Sequence, residues 1–90
     1  MKPQALSTAL ASNTAYRVVH HPFVYLRDTP SPEGAVLGIA HHGTKLEVDT
    51  ECGGWLRTSH PISDGKHGWA LVDGGKVNIP GALLEPCGFK

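Results

Sequence analysis

Six histidines in 90 residues are the first candidates for chemistry in this sequence. Imidazole serves as a metal ligand and as a general acid or base, because its unperturbed pKa lies near neutrality. Four of the histidines form two adjacent pairs, and neighbours on a strand point to opposite faces, so a pair could bind one ion only in a turn. No further ligands with the spacing of a metal site accompany them, and we predict neither a metal site nor a cofactor. The histidines are His20, His21, His41, His42, His60 and His67.

Nucleophilic catalysis has two candidates, Cys52 and Ser59. A reactive thiolate needs a cation or a helix N-terminus nearby to lower its pKa, and the "ECGG" segment around Cys52 supplies neither. Ser59 directly precedes His60, and adjacent strand residues cannot form the hydrogen bond of a nucleophile–base pair. We therefore predict no catalytic residue and no enzyme activity. Cys87 forms no CxxC motif with Cys52, and we expect two reduced thiols, with one disulfide as the open alternative.

Aromatic side chains are the third group of candidates, and they act through binding. Tyr25 lies in "FVYLR", while Trp55 and Trp69 begin "WLRTS" and "WALV". Alternation along a strand places Tyr25 and Arg27 on the face opposite the aliphatic residues, and it places both tryptophans opposite the aliphatic stripe in the same way. Aromatic residues at such positions either line a binding groove or cap the ends of a small core. The residues alone leave both alternatives open.

Length and charge exclude several classes of protein. Ninety residues suffice for one domain, which buries roughly two-thirds of its unfolded surface. Eight Lys and Arg balance eight Asp and Glu without a block of one sign, which argues against a nucleic-acid interface and against electrostatic attachment to membranes. No apolar run approaches the ~20 residues of a membrane span. The N-terminus lacks the apolar region of a secretory signal, which mildly favours an intracellular location and leaves the compartment otherwise unknown.

Turn residues divide the chain into short segments rich in β-branched and aromatic residues. This spacing is typical of an all-β sandwich or barrel, and no window past residue 15 keeps the apolar periodicity of a helix. We predict a flexible leader or linker over residues 1–15, a domain over residues 16–87 and a tail over residues 88–90. A 3₁₀ turn is expected near the end of the domain. Asp64 and Asp73 each precede glycine, as turn residues do.

The same alternation predicts which residues form the core. Apolar residues at every second position of each strand share the inward face. The predicted core is aliphatic and consists of Val18, Val24, Leu26, Leu37, Leu46, Val48, Leu56, Ala70, Val72 and Leu84.

Motifs in three successive segments resemble one family. The segment "VYLRDTPSPEGAVLGIAHHGTKLEV" resembles the opening of the bacterial-type SH3-like (SH3b) module, "GGWLRTS" resembles its Gly-Trp strand, and "DGKHGWALV" resembles its Gly-Trp hairpin. "ALLEP" would supply the closing strand. The resemblance covers about residues 23–73 and implies a small SH3-like β-barrel of five to seven short antiparallel strands. The chain departs from the pattern in its longer "HPISDG" loop and in an insertion, "GGKVNIPG", at residues 74–81.

The resemblance also implies a function. SH3 folds in general bring the positions of Tyr25, Trp55 and Trp69 together, and eukaryotic members use them to line a groove for proline-rich peptides. A polyproline helix is already stiff, so it loses little entropy on binding. We therefore expect a monomeric, non-catalytic module that binds a protein or peptide through Tyr25, Arg27, Trp55 and Trp69. The alternatives are recognition of a cell-wall glycopeptide, as in bacterial members, and a targeting or regulatory appendage of a larger enzyme.

Overall fold

Short strands joined by turns account for most of the fold. The computed structural model describes residues 7–10, 14–77, 79 and 81–87. β-branched and aromatic residues favour the strands, while Gly, Pro and Asp favour the turns. The strands are β1 (Ser7–Ala9), β2 (Ala15–Val18), β3 (Phe23–Arg27), β4 (Val36–His41), β5 (Lys45–Cys52), β6 (Trp55–Thr58), β7 (Trp69–Leu71) and β8 (Leu84–Pro86). A 3₁₀ helix, Gly74–Val77, lies between β7 and β8.

The strands form one antiparallel sheet in the order β4-β3-β7-β6-β5-β2-β8. The long strand β5 pairs with β6 along one edge. Its other edge pairs with β2 near the start of the strand and with β1 near the end. The register of β5 against β6 shifts between Val48 and Thr50, and such a bulge bends a strand. The two halves of one β5 edge can therefore serve two different strands.

One buried cluster joins strands from distant places in the sheet. Leu26 of β3 and Leu84 of β8 both belong to it, although four strands separate them in the sheet order. The sheet therefore curls around a common core, which is compatible with a β-barrel. Burying one large aliphatic side chain contributes about 1.5–3 kcal/mol. The cluster consists of Val18, Val24, Leu26, Ala40, Val48, Trp55, Leu56, Ala70, Leu71, Leu83 and Leu84.

Most of the predicted core is confirmed. The predicted residues that belong to the cluster are Val18, Val24, Leu26, Val48, Leu56, Ala70 and Leu84. Leu46 and Val72 are half-buried and pack against the cluster. Leu37 is corrected to a half-buried position outside the cluster, because the register of β3 against β4 skips it. Trp55 was predicted on the outer face and is buried, as is Leu71.

β6 and the residues before β7 approach each other closely at Thr58 and Gly68. The Thr58 backbone N–H donates to the Gly68 carbonyl at 2.8 Å. The buried Thr58 hydroxyl accepts from the Gly68 N–H at 3.0 Å and donates to the His60 carbonyl at 2.8 Å. A β-carbon on Gly68 would lie 2.5 Å from Ile62 Cδ1 and 3.0 Å from Leu26 Cβ. Only glycine fits at this position without moving its neighbours.

The connection between β6 and β7 turns at Asp64 and Gly65. Their φ angles are +48° and +75°, and a turn with left-handed backbone at both central positions matches the twist of the strands that it joins. The Lys66 N–H donates to the Ser63 carbonyl at 2.7 Å and closes the turn. The Asp73 carboxylate accepts from the backbone N–H two residues further on. Both aspartates thus serve as turn residues, as predicted.

The prediction of an all-β fold is confirmed, and the described residues form eight strands in place of five to seven. The additional strand is β1, in the segment predicted to be a flexible leader, and it forms because the end of β5 offers it a free edge. The predicted 3₁₀ turn is confirmed at Gly74–Val77. Residues 1–6, 11–13 and 88–90 of the predicted leader and tail lie outside the described residues. Over the ranges given above, no helix has the length and apolar character needed to cross a membrane.

Candidate functional site

The outer face of β3 presents two aromatic rings and a cation. Alternate residues of a strand share a face, so Phe23, Tyr25 and Arg27 lie side by side on β3. The Phe23 and Tyr25 rings meet edge to face with centroids 5.4 Å apart. The Arg27 guanidinium carbon lies 5.2 Å from the Tyr25 ring centroid, which is within cation–π range. Tyr25 is 48% exposed, so this group is accessible to a ligand.

A half-open cavity of about 270 Å³ lies beside this face. One wall comes from β3 and the residues just before it. The other wall comes from Leu71 of β7 and from Ile79 and Leu83, which lie between β7 and β8. The lining is mainly apolar and consists of His20, Pro22, Phe23, Val24, Tyr25, Arg27, Leu71, Ile79 and Leu83.

The described residues that line this cavity include no Asp or Glu. Arg27 donates one N–H to the Gly34 carbonyl at 2.9 Å. Among the described residues, no Asp or Glu lies within ion-pair distance of Arg27. The neighbouring carboxylate, Asp28, accepts a hydrogen bond from the Ala35 N–H at 2.9 Å. The cavity is therefore apolar, with a cation at its edge that has no anionic partner in the described part of the chain.

Trp69 borders a different depression on the same side of the sheet. It is the register partner of Arg27 on β3 and of Arg57 on β6, and partners in adjacent strands share a face. Trp69 is half-buried. The depression beside it has a mixed polar lining that includes Asp28, Arg57 and Lys66. Arg27 therefore stands between the ring of Tyr25 and the ring of Trp69.

One cation of this second depression, Arg57, forms an ion pair with Asp49. Arg57 donates from Nε and Nη2 to the two carboxylate oxygens of Asp49, at 3.0 and 3.1 Å. These hydrogen bonds hold the pKa of Asp49 below its ordinary value against the opposing effect of partial burial, and a bond from Thr50 acts in the same direction. The pKa of Arg57 is raised by the same contact. Both side chains are more than a third exposed, so the pair contributes at most about 1 kcal/mol to stability.

Trp55 does not face solvent, and its predicted outward orientation is wrong. It is 6% exposed, and its partner across the strands, Leu71, is 4% exposed. The alternation assumed that one face of β6 and β7 is open to water. That face is covered, because Leu83 belongs to the same buried cluster and Ile79 packs against it. Trp55 is a core residue, and its register partner on β7, Leu71, lines the cavity.

The four residues predicted to bind a ligand thus have three kinds of position. Tyr25 and Arg27 line the cavity. Trp69 lies next to Arg27 and lines the neighbouring depression. Trp55 is buried beneath the surface.

Several lining residues were not predicted. Phe23 could have been included, because the period of β3 places it with Tyr25 on the outer face. Ile79 and Leu83 carry no local signal of their role, since they reach the cavity only through the packing of the chain between β7 and β8. His20 likewise reaches it through the turn that precedes β3.

The other histidines take part in local contacts. The rings of His21 and His42 are stacked with centroids 3.6 Å apart. His60 Nε2 lies 3.3 Å from a carboxylate oxygen of Glu47, and His67 Nδ1 lies 2.7 Å from a backbone carbonyl. Within residues 7–10, 14–77, 79 and 81–87, no three His, Cys, Asp or Glu side chains are grouped so that they could hold a metal ion.

Ser59, one candidate nucleophile, and its neighbour His60 both contact Glu47. The His60 ring is directed at Glu47, and the Ser59 N–H donates to the Glu47 carbonyl at 2.8 Å. No hydrogen bond of the described residues joins Ser59 to His60. Among the described residues, Cys52 and Cys87 form no disulfide.

No family model matches this chain, and comparisons with curated proteins and with solved structures found no match either. Its class is therefore defined by fold and site alone. It is a small all-β domain with a half-open apolar cavity beside an aromatic pair, of which Tyr25 is exposed.

Proposed function

We propose that the chain is a non-catalytic SH3-like binding module that holds an extended peptide against Phe23, Tyr25 and Arg27. The observation that carries this proposal is the exposed Tyr25 ring at the edge of an apolar cavity. Aromatic walls provide a large contact area and lose little side-chain entropy when a ligand binds. A proline-rich segment suits such walls, because its polyproline helix is formed before binding.

The size of the cavity and the use of the Tyr25 ring favour a peptide over a sugar. A volume of about 270 Å³ is just below the range of roughly 300–1,000 Å³ typical of small-molecule sites. It suits one anchoring side chain of a ligand that continues along the surface. The Arg27 guanidinium lies over the Tyr25 ring and occupies a face that a sugar would need for stacking. We therefore take the cell-wall glycopeptide as the competing outcome of the test below.

The neighbouring residues indicate how the peptide would continue. Trp69 is the register partner of Arg27 and offers a second, half-buried ring along the same face. A peptide anchored beside Tyr25 would pass Arg27 and reach Trp69. Trp55 lies beside Leu71 across β6 and β7 and would support this part of the wall without touching the ligand.

Chemical-shift mapping against proline-rich peptides and soluble muropeptides tests the proposal. We expect proline-rich peptides to shift the amide signals of Phe23, Tyr25, Arg27 and Leu71. Tyr25→Ala should weaken binding at least tenfold, since a central aromatic anchor is typically worth 2 kcal/mol or more. Ile39→Ala is the matched control, because Ile39 pairs with Tyr25 across β3 and β4 and is 42% exposed but does not line the cavity.

Three results would contradict this function. Proline-rich peptides could cause no shifts near the cavity, Tyr25→Ala and Ile39→Ala could weaken binding equally, or muropeptides alone could bind. Far-ultraviolet circular dichroism of both variants checks that they remain folded. Both side chains are well exposed, so truncation should cost little stability.

A further inference from the structure

We infer that the peptide ligand carries an acidic side chain beside its apolar anchor, and that Arg27 recognises it. This inference rests on the proposed function, because it specifies the chemistry of the ligand for the same cavity. The described cavity lining has an arginine and no Asp or Glu. An anionic group entering beside Tyr25 would meet a cation without a competing carboxylate. A basic group at the same place would be repelled.

Arg27 has the donors for this role. A guanidinium carries five N–H donors, and the hydrogen bond to the Gly34 carbonyl uses one of them. The remaining donors include enough for a carboxylate, which accepts two parallel hydrogen bonds from one arginine. The bond to Gly34 and the contact with the Tyr25 ring also hold the guanidinium in place. A group held in position before binding loses less entropy when the ligand arrives.

Asp28 and Asp49 have hydrogen-bond partners other than Arg27. Asp28 follows Arg27 in the chain, but it bonds to the Ala35 N–H and lines the neighbouring depression. Asp49 is held by Arg57 through two hydrogen bonds. In the described part of the chain, neither carboxylate lies within ion-pair distance of Arg27.

His20 gives the cavity a second donor. It lines the same cavity as Arg27, and an imidazole ring carries at least one N–H donor in either of its charge states. The described polar donors of the lining are thus nitrogen groups and the Tyr25 hydroxyl. This set is complementary to a carboxylate and lacks an anion that could anchor Lys or Arg.

Three peptides with one proline-rich scaffold and Glu, Gln or Lys at the position after the anchor test the inference. We expect the Glu peptide to bind about fivefold more tightly than the Gln peptide, which corresponds to the upper range for a solvent-accessible ion pair. The Lys peptide should bind more weakly than the Gln peptide. Affinities come from titrations followed by chemical shifts, which also report where each peptide binds.

Variants of Arg27 test whether this residue causes the preference for the Glu peptide. Arg27→Gln should reduce the difference between the Glu and Gln peptides to less than twofold. Arg27→Lys should retain part of the difference, because the charge remains while the planar fork is lost. Arg17→Gln is the matched charge control, since Arg17 is exposed on β2 and does not line the cavity, and this variant should keep the fivefold difference.

The outcomes of these titrations distinguish a failure of this inference from a failure of the proposed function. If all three peptides bind at the cavity with equal affinity, or if the Lys peptide binds best, the inference is overturned and the binding function stands. If the preference for Glu survives Arg27→Gln, the assignment to Arg27 is wrong. If none of the peptides shifts the cavity signals, the proposed function itself fails.

Discussion

Replacing Thr58 by valine tests the close contact between β6 and the residues before β7. Valine has nearly the same shape as threonine and removes the hydroxyl that accepts from the Gly68 N–H. This amide has no other acceptor among the described residues, and Gly68 is buried. A buried donor left without a partner costs about 1–3 kcal/mol. The His60 carbonyl also loses its donor, but His60 is exposed and water can replace the bond.

The net effect should be a loss of about 1–2 kcal/mol in the free energy of unfolding. Thr58 is 4% exposed, so the extra methyl group of valine gains up to about 0.8 kcal/mol from burial, which offsets part of the penalty. With a urea dependence of roughly 1–2 kcal/mol/M for a domain of this size, the midpoint should fall by about 1 M. Urea unfolding followed by tryptophan fluorescence measures this shift.

Amide hydrogen exchange at Gly68 separates the hydrogen bond from other effects of the substitution. In Thr58→Val the Gly68 amide should lose more protection than its neighbours. Thr58→Ser is the control, since it keeps the acceptor and loses one methyl group, at about 0.8 kcal/mol, and it should keep the Gly68 protection. A Thr58→Val protein as stable as the wild type, with unchanged exchange at Gly68, would refute the reasoning.

Two further predictions concern packing and acid stability. Gly68→Ala should lower the free energy of unfolding by about 1–3 kcal/mol through overpacking. Gly38→Ala should not, since a β-carbon on Gly38 meets no atom within 4 Å. Equal thermal midpoints for the two variants would contradict this prediction. Asp49 has a pKa lowered in the folded state by its hydrogen bonds from Arg57. Its contribution is therefore present above the unfolded-state pKa of about 3.9 and is lost as pH falls through the lower folded-state pKa. In urea titrations, Asp49→Asn should lower the free energy of unfolding by at most about 1 kcal/mol at pH 7 and remove part of the stability loss below pH 4. The control Glu85→Gln should leave that loss unchanged. Identical stability-versus-pH profiles for the two variants would disprove this role of Asp49.

The strands and most of the core could be predicted because their signals are local. Turn residues such as Asp64 and Gly65 end strands for reasons of backbone geometry, which the sequence carries directly. Alternation predicts that Leu26 and Leu56 are buried. It holds on β3 because the residues on either side of Leu26 point to the other face, towards solvent or a cavity. β1 was missed because a strand of three exposed residues has no apolar pattern, and its existence depends on the free edge of β5.

The residues of the site also differ in whether a local sequence signal identifies them. Tyr25 and Arg27 belong to one strand, so a period of two residues finds them. Trp55 was misassigned because the residues that cover its face, Leu83 above all, come from a segment about thirty residues further along the chain. Alternation distinguishes two faces, but it does not say whether the second face meets water. That information belongs to tertiary packing, and only a three-dimensional structure supplies it.

The segment between β7 and β8 covers the core and also forms one wall of the cavity. Ile79 and Leu83 line the cavity, and Leu83 also belongs to the cluster that buries Trp55. Under the proposed function, a ligand that binds only while this segment is packed in place would therefore stabilise the fold by mass action. A ligand present at a hundred times its Kd raises the free energy of unfolding by about 2.7 kcal/mol. Trp55 is the register partner of Leu71, so in a Trp69→Phe variant we expect its emission to change on ligand binding, although Trp55 is not among the described lining residues.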